Sequence, residues 1–378
     1  MRIGINVHLL STTHTGIQHY IRALVPELVA QAVPVHEVVL YGEPSQLSLP
    51  ADERVRWVPA ICPLRSGVQR VLWEQTILPR LLRRDRVDVF FSPAFILPAR
   101  WRGVGVVTVH DLNFEVSPQT IHPVRRAYLR AITRRSVHRA RGVIAISRAT
   151  AEDIVRLYSV PRSKIVLIPY GLDASFNPTN ARHLEASVRE RYRLPEEFLL
   201  FVSTLEPRKN LPRLLEAYAL ACRQASLPPL VLVGAPGWQN ERILTQARRL
   251  GIEGQLHFAG YISRENLPGV YVAARALLYP SLYEGFGLPP LEAMGCGTPV
   301  LASNVSAMPE VIGDAGVLIN PCDVQEMAEG ILRIAQDETL RQRMVERGLE
   351  RAQRFRWDEA AHQTLSVIEQ AGGYSSGV

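Results

Sequence analysis

Ser281-Leu-Tyr-Glu-Gly-Phe-Gly-Leu-Pro-Pro-Leu-Glu-Ala-Met-Gly-Cys-Gly-Thr-Pro299 follows an apolar run, Ala276-Leu-Leu-Tyr-Pro280. The two read as strand, glycine turn and short helix, the helix opening near Pro289 and stopping at Gly295. Gly285 and Gly287 let the backbone approach a ligand, and Pro289 and Pro290 lack N–H groups that a first helical turn leaves unpaired anyway. The remaining N–H groups and the positive end of the helix dipole suit phosphate. Glu284 and Glu292 bracket the turn, and carboxylates repel phosphate, so they are suited to hydroxyl groups beside it. A ligand that joins phosphate to polyol, a sugar nucleotide, satisfies both features.

Working outward, 378 residues imply two or three domains at about 150 residues each. Hydrophobic residues at 47% and charged residues at 21% are ordinary globular usage. No apolar run approaches the roughly 20 residues that span a bilayer, and Met1-Arg-Ile-Gly-Ile-Asn-Val reads as a core strand rather than a signal peptide, so a cytoplasmic protein is expected. Cys62, Cys222, Cys296 and Cys322 are scattered without a CxxC pair, which indicates neither zinc nor a disulfide framework. Residues 1–170 carry 23 basic and 12 acidic side chains, the remainder 20 and 24, so the basic excess lies in the first half. With Lys164 and Lys209 the only lysines, part of that excess is a compositional habit for arginine.

Along the chain, strands are expected at Arg2–Leu9, Val35–Tyr41, Arg54–Pro59, Val87–Ser92, Gly105–His110, Gly142–Ser147 and Lys164–Pro169. Helical spacing occupies Ile17–Gln31, Val68–Arg84, the arginine-rich Ile121–Arg141 and Ala149–Tyr158. Gly171–Pro178 has linker chemistry. The alternation restarts at Phe198–Ser203 and continues through strands at Leu230–Gly234, Leu256–Phe258, Ala276–Tyr279, Pro299–Ala302 and Ala315–Ile319. The helices between and after them are Leu211–Ala225, Asn240–Leu250, Asn266–Ala274, Met327–Gln336, Glu338–Phe355 and Trp357–Gln370, with a disordered tail from Gly372. Alternation of this kind predicts parallel α/β sheets with helices on both faces.

These residues resemble the retaining glycosyltransferases of the GT-B fold, and within them the large GT4 group. Glu284 to Glu292 is similar to that family's Glu-x7-Glu motif, Ser203–Leu211 to its basic donor loop and Asn6–Leu24 to its N-terminal glycine loop. Thr108–Leu112, Ala145–Ser147 and Phe355–Trp357 extend the match over nearly the whole chain. The resemblance implies two doubly wound Rossmann-like domains facing across a cleft. They are an acceptor-binding domain over 1–172 and a nucleotide-sugar-binding domain over 173–356, with 357–378 a C-terminal helix packing back on the first domain, and a tail.

The resemblance also implies roles. Arg208 and Lys209 neutralise the departing diphosphate; an arbitrary Arg-Lys pair would be a solvated helix start. Glu284 holds hydroxyls of the donor sugar and Glu292 those of the ribose, where the bland reading of Glu292 is a helix cap. The N–H groups of Phe286, Gly287 and Leu288 hold phosphate, with Ser203 in the donor loop. His110 faces the transferred sugar beside Asp111, although a histidine at a strand end is more often packed core. Gly16 lets its loop close over phosphate, and Gly260-Tyr261-Ile262 brackets the base, with turn geometry and packing as the plainer explanations. Two flanking carboxylates also suit a glycosidase, but their place on a phosphate turn argues against it.

The expectation is a retaining hexosyltransferase that needs no cofactor and no metal, since no Asp-x-Asp motif stands out. It would move mannose from GDP-mannose to a saccharide or lipid-linked saccharide acceptor. A UDP-sugar-dependent transferase, a sugar-nucleotide epimerase and a noncatalytic sugar-nucleotide-binding subunit are the alternatives. A phosphorylase needs a late lysine, and none follows Lys209. The basic helix and Pro79–Arg84 suggest docking on an anionic membrane, against a solvated face in an arginine-rich chain. Nucleic-acid binding, raised by a pI near 9.4, lacks interleaved aromatics.

Overall fold

The computed structural model describes residues 1–10, 16–47, 49, 51–60, 67–118, 121–204, 206–234 and 240–374. The expected loop over 11–15, Cys62 and the last four residues of the tail lie outside them. The chain forms two compact units, one of residues 1–171 with 356–378 and one of residues 172–355.

The N-terminal unit begins β1 (Arg2–Asn6), α1 (Gly16–Ala32), β2 (Glu37–Tyr41), β3 (Val55–Val58), α2 (Gly67–Leu72) and α3 (Leu78–Arg84). It continues β4 (Val89–Ser92), β5 (Val104–Val109), α4 (Asn113–Val116), α5 (Pro123–Arg139), β6 (Gly142–Ala145), α6 (Arg148–Tyr158) and β7 (Ile165–Leu167). Its seven strands are parallel in the order β3-β2-β1-β4-β5-β6-β7. Strand β1 stops at Asn6 rather than Leu9 because the chain folds into a turn, Leu10 N donating to Val7 O at 3.1 Å. Val68–Arg84 is helical as its spacing implies, but a π-helical turn over Trp73–Ile77 joins α2 to α3.

The second unit holds α7 (Pro178–Tyr192), β8 (Leu199–Val202), α8 (Leu211–Gln224), β9 (Leu230–Val233), α9 (Asn240–Leu250), β10 (Leu256–Gly260) and α10 (Leu267–Ala273). After these come β11 (Ala276–Tyr279), α11 (Leu288–Gly295), β12 (Val300–Ser303), α12 (Met308–Ile312), β13 (Val317–Ile319), α13 (Val324–Gln336) and α14 (Glu338–Ala352). Six parallel strands run in the order β10-β9-β8-β11-β12-β13. Strands β8, β9, β11 and β12 are buried throughout, as a parallel sheet covered on both faces requires. Leu199 and Phe201 pack with Leu214, Leu215 and Tyr218 of α8.

Helix α7 has no counterpart in the sequence reading. Only Ala181 and Val188 of it are buried, too few for an apolar stripe, and what starts it is Asn177, whose side chain accepts from Asn180 N at 3.0 Å. Helix α15 (Trp357–Gly372) returns to the N-terminal unit and packs along α1. Gln31 Nε2 donates to Asp358 O at 2.9 Å, and buried His36 lies 2.8 Å from Glu369 Oε1.

Candidate active site

In the second unit the chain leaves β8 toward β9 on one side and later returns to β11 on the other, so the strand order reverses between β8 and β11. Open α/β sheets bind ligands outside the carboxyl ends at such a reversal. Two loops rise there, 203–210 after β8 and 280–287 after β11. Asn210, buried and left-handed at φ 62°, ties them together by donating from Nδ2 to Pro280 O at 3.1 Å and to Pro321 O at 2.6 Å. Leu282 N completes the seam with a bond to Arg208 O at 2.8 Å.

Three of the expected residues meet on this seam. Glu284 Oε1 accepts from Lys209 Nζ at 2.6 Å and from the Tyr279 hydroxyl at 2.9 Å, while Oε2 accepts from Arg208 Nη1 at 2.8 Å. All three partners are held: Lys209 also donates to Tyr279 at 2.7 Å, and Arg208 Nε to Glu206 at 2.9 Å. Burial by itself would raise the Glu284 carboxyl, but the Lys209 and Arg208 charges outweigh it and bring its pKa to about 2. Burial lowers the Lys209 ammonium, and Arg208 adds to that, against the pull of Glu284. A carboxylate oxygen has two lone pairs, so Oε2, which accepts from Arg208 Nη1, keeps capacity for a ligand hydroxyl.

Helix α11 opens on the same loop. Gly287, at φ 103°, precedes Leu288 with no side chain capping the helix; Pro289 and Pro290 carry no N–H and Leu291 N donates to Gly287 O at 3.4 Å, which leaves Leu288 N as the first-turn donor without an intrahelical partner. A Cβ on Gly287 would come within 2.2 Å of Met308 Cε, and the left-handed backbone disfavours other residues there in any case. Phe286 is buried edge-on to Phe355 with ring centroids 5.6 Å apart. Glu292, one turn along the helix, is 2% exposed and held at both oxygens, by Arg264 Nη1 at 2.6 Å and by the Tyr271 hydroxyl at 2.9 Å. Arg264 in turn grips Asp173 through Nε at 3.0 Å and Nη2 at 2.9 Å, and lies over the Phe176 ring at 4.8 Å. Arg264, Tyr271 and Asp173 were not singled out in the sequence. Their relevance comes from contacts 21 to 91 residues apart along the chain.

Ser203 sits at the end of β8, where its hydroxyl is buried without a partner among the described residues, as is that of Ser303 at the end of β12. Gly234, after β9, is required by packing: a Cβ there would fall 1.8 Å from Ser203 O. Gly260 ends β10, Tyr261 is 55% exposed and Ile262 is buried.

In the N-terminal unit, His110 follows β5 and both ring nitrogens are engaged. Nε2 donates to Pro93 O at 2.6 Å, and Nδ1 therefore accepts from the Tyr170 hydroxyl at 2.6 Å. Burial lowers its pKa to about 4, so the ring is neutral at pH 7. Asp111 Oδ1 accepts from Asn113 N at 3.0 Å. Gly16 is the first residue of α1, and the loop it was expected to close falls on the undescribed residues. Among the described residues no three His, Cys, Asp or Glu side chains gather as a metal would need, and no helix is long and apolar enough to cross a membrane.

Comparison with known proteins agrees with this arrangement. Residues 185–351 match the family described as glycosyl transferases group 1, and residues 14–176 match glycosyltransferase family 4. The chain is 36% identical over 290 residues to the O-antigen chain mannosyltransferase B of Escherichia coli, covering 76% of this chain and 75% of that one. It is 32% identical to the MMP alpha-(1->4)-mannosyltransferase of Mycolicibacterium hassiacum, covering 61% of this chain and 54% of that one. Among solved structures, the sucrose-phosphate synthase of Thermosynechococcus elongatus superposes with a TM-score of 0.76 at 22% identity, over 99% of this chain and all of that one, which establishes the shared fold. The two sheets, the switch-point site and these relatives place the chain in the group 1, family 4 glycosyltransferases of the GT-B fold, and it is a glycosyltransferase.

Proposed function

We propose that the protein is a retaining mannosyltransferase that takes mannose from GDP-mannose and adds it to a saccharide or lipid-linked saccharide during polysaccharide assembly. The observation that carries the reading is the convergence of Arg208, Lys209 and Glu284 at the β8–β11 switch point, beside the open N-terminus of α11. Mannose is favoured because relatives at 36% and 34% identity are named mannosyltransferases. In this reading the N–H groups of Phe286, Gly287 and Leu288 and the Ser203 hydroxyl hold the diphosphate, and Glu292 holds the ribose. Gly260, Tyr261 and Ile262 flank the base, Glu284 holds the mannose, and the N-terminal unit binds the acceptor.

The acceptor hydroxyl attacks C1 of mannose on the face from which the diphosphate departs. The C1–O bond to phosphate breaks, the C1–O bond to the acceptor forms, and the hydroxyl proton passes to the leaving phosphate oxygen. Arg208 and Lys209 neutralise the charge that builds on that oxygen, the largest contribution such a site can make, and no divalent cation is needed. Lys209 enters with its charge already placed by Glu284 and Tyr279, so no reorganisation accompanies the step. His110 serves as a fixed neutral ring, and a direct bond to sugar requires it to exchange Tyr170 or Pro93 as partner.

A donor panel tests the assignment. GDP-mannose at about 100 times its Kd should stabilise the protein by about 2.7 kcal/mol and turn over, while UDP-sugars do neither. Stabilisation and turnover by a UDP-sugar alone defeat the mannose assignment.

Membrane docking belongs to the same reading. On α5, Arg125, Arg134 and Arg135 are exposed with Val124 at 73%, and α2 exposes Val68 at 70% and Leu72 at 58%. Other arginines are used internally, Arg130 against Glu115 and Arg126 on Phe114 O. Vesicles containing anionic lipid should sediment the protein and neutral vesicles should not; equal sedimentation removes the docking claim.

A further inference from the structure

The second unit carries a third loop at the same carboxyl edge, residues 304–307 between β12 and α12. Strand β12 lies beside β11, so this loop stands next to the Glu284 turn, on the side away from β8. Among the described residues, six non-glycine positions have a left-handed φ. Ser159 and Arg193 are two of them and close helices α6 and α7, where that conformation is common. Asn210 and Ser306, at φ 62° and 52°, instead lie in loops of the switch point. Asn210 binds the β11 loop from one side, and Ser306 meets it from the other.

A Cβ in this backbone region is unfavourable where glycine is not, and the conformation persists only where its surroundings enforce it. Here both ends of the loop are pinned: Asn304 N donates to Ile319 O of β13 at 2.7 Å, and Met308 N donates to Val305 O at 3.2 Å. Glycine would follow this path without strain, so what serine adds at 306 is its hydroxyl. That hydroxyl makes one hydrogen bond among the described residues, Oγ accepting from Glu284 N at 3.0 Å. Two residues farther along, Met308 closes on the other end of the same turn, its Cε filling the space that a Cβ on Gly287 would need.

Glu284 lies between β11 and α11, with Gly285 next to it, so no regular element fixes its backbone. Its carboxylate is gripped by Arg208, Lys209 and Tyr279, but side-chain bonds alone leave the peptide free to pivot beneath them. The bond from its amide to Ser306 removes that freedom. With amide and carboxylate both held, the direction in which Oε2 offers its remaining lone pair is set before a ligand arrives, as a preorganised site requires. We infer that Ser306 is the positioning residue of Glu284 and fixes the sugar-holding end of the donor turn; the inference rests on the glycosyltransferase reading above.

Titration calorimetry of Ser306→Gly and Ser306→Ala with GDP-mannose and with GDP tests it. The Kd of GDP-mannose should rise about 3- to 10-fold in both, as loss of one hydrogen bond implies. The Kd of GDP, which has no sugar for Glu284 to hold, should move less than about twofold. Ser306→Gly adopts the left-handed backbone freely, so it decides the matter even if Ser306→Ala fails to fold. In a Glu284→Ala background the Ser306→Gly change should weaken GDP-mannose by less than about a further twofold, because residues that act through one another are not additive. An unchanged Kd for GDP-mannose in Ser306→Gly, an equal change for GDP, or a loss of full size in the Glu284→Ala background each overturns the positioning role. Wild-type binding of a UDP-sugar in place of GDP-mannose defeats the mannose assignment alone, and the comparison then runs with that donor and UDP. A wild type that binds no sugar nucleotide overturns the transferase reading, and the inference with it.

Discussion

Lys209→Ala removes the ammonium that Glu284 Oε1 accepts at 2.6 Å and that also donates to Tyr279 at 2.7 Å. Deleting one partner of a buried ion pair costs about 3–5 kcal/mol, because the charge left behind stays desolvated. Arg208 remains on Oε2 at 2.8 Å, so the low end, about 3 kcal/mol, applies. For a unit of this size that lowers the thermal midpoint by roughly 6–12 °C. Turnover should fall by about 100- to 1000-fold, the usual consequence of losing one preorganised charge at a developing oxyanion. Lys209→Met combined with Glu284→Gln separates the two effects. It eliminates the unpaired carboxylate and should recover most of the midpoint, while turnover stays as low as in the single variant. Scanning calorimetry and GDP-release kinetics on wild type, both singles and the double make the assay. Near-normal turnover in Lys209→Ala refutes the neutralising role, and a double variant no more stable than the single refutes the charge-pair account.

The same cluster sets an acid dependence. Glu284 has a folded pKa of about 2 against an ordinary carboxylate near 4.5, so its stabilisation is complete above the ordinary value and fades as pH falls toward 2. Wild type should lose stability over that window more steeply than Glu284→Gln, and parallel pH profiles would contradict the assignment. Arg264→Ala or Tyr271→Phe releases one oxygen of Glu292 and should raise the donor KM about 3- to 30-fold with a smaller change in kcat; an unchanged donor KM removes Glu292 from the nucleotide site. Turnover should survive EDTA unchanged, and loss of activity restored by a divalent cation would overturn the metal-independent mechanism.

The placement of Arg208, Lys209 and Glu284 in loops after β8 and β11, and of Glu292 on the helix that follows, was legible because apolar runs mark the parallel strands ahead of them. Arg264 was not. Its importance comes from reaching Glu292 and Asp173, 28 and 91 residues away, and one arginine among 43 basic residues carries no local signal. The π-helical turn over Trp73–Ile77 was hidden differently. The helical spacing of Val68–Arg84 is real, but nothing in it announces the turn that carries Glu74 to Asn6. His110 shows the opposite case, a position read correctly at the end of β5 whose two nitrogens are already bonded.

The anomeric configuration of the product tests the account most directly. Incubating the protein with GDP-α-mannose and a saccharide acceptor, and reading the new linkage by NMR, should give an α-mannoside, because attack and departure share one face of the ring. A β-linked product would require an opposite-face attack and contradict the role assigned to the cluster of Arg208, Lys209 and Glu284.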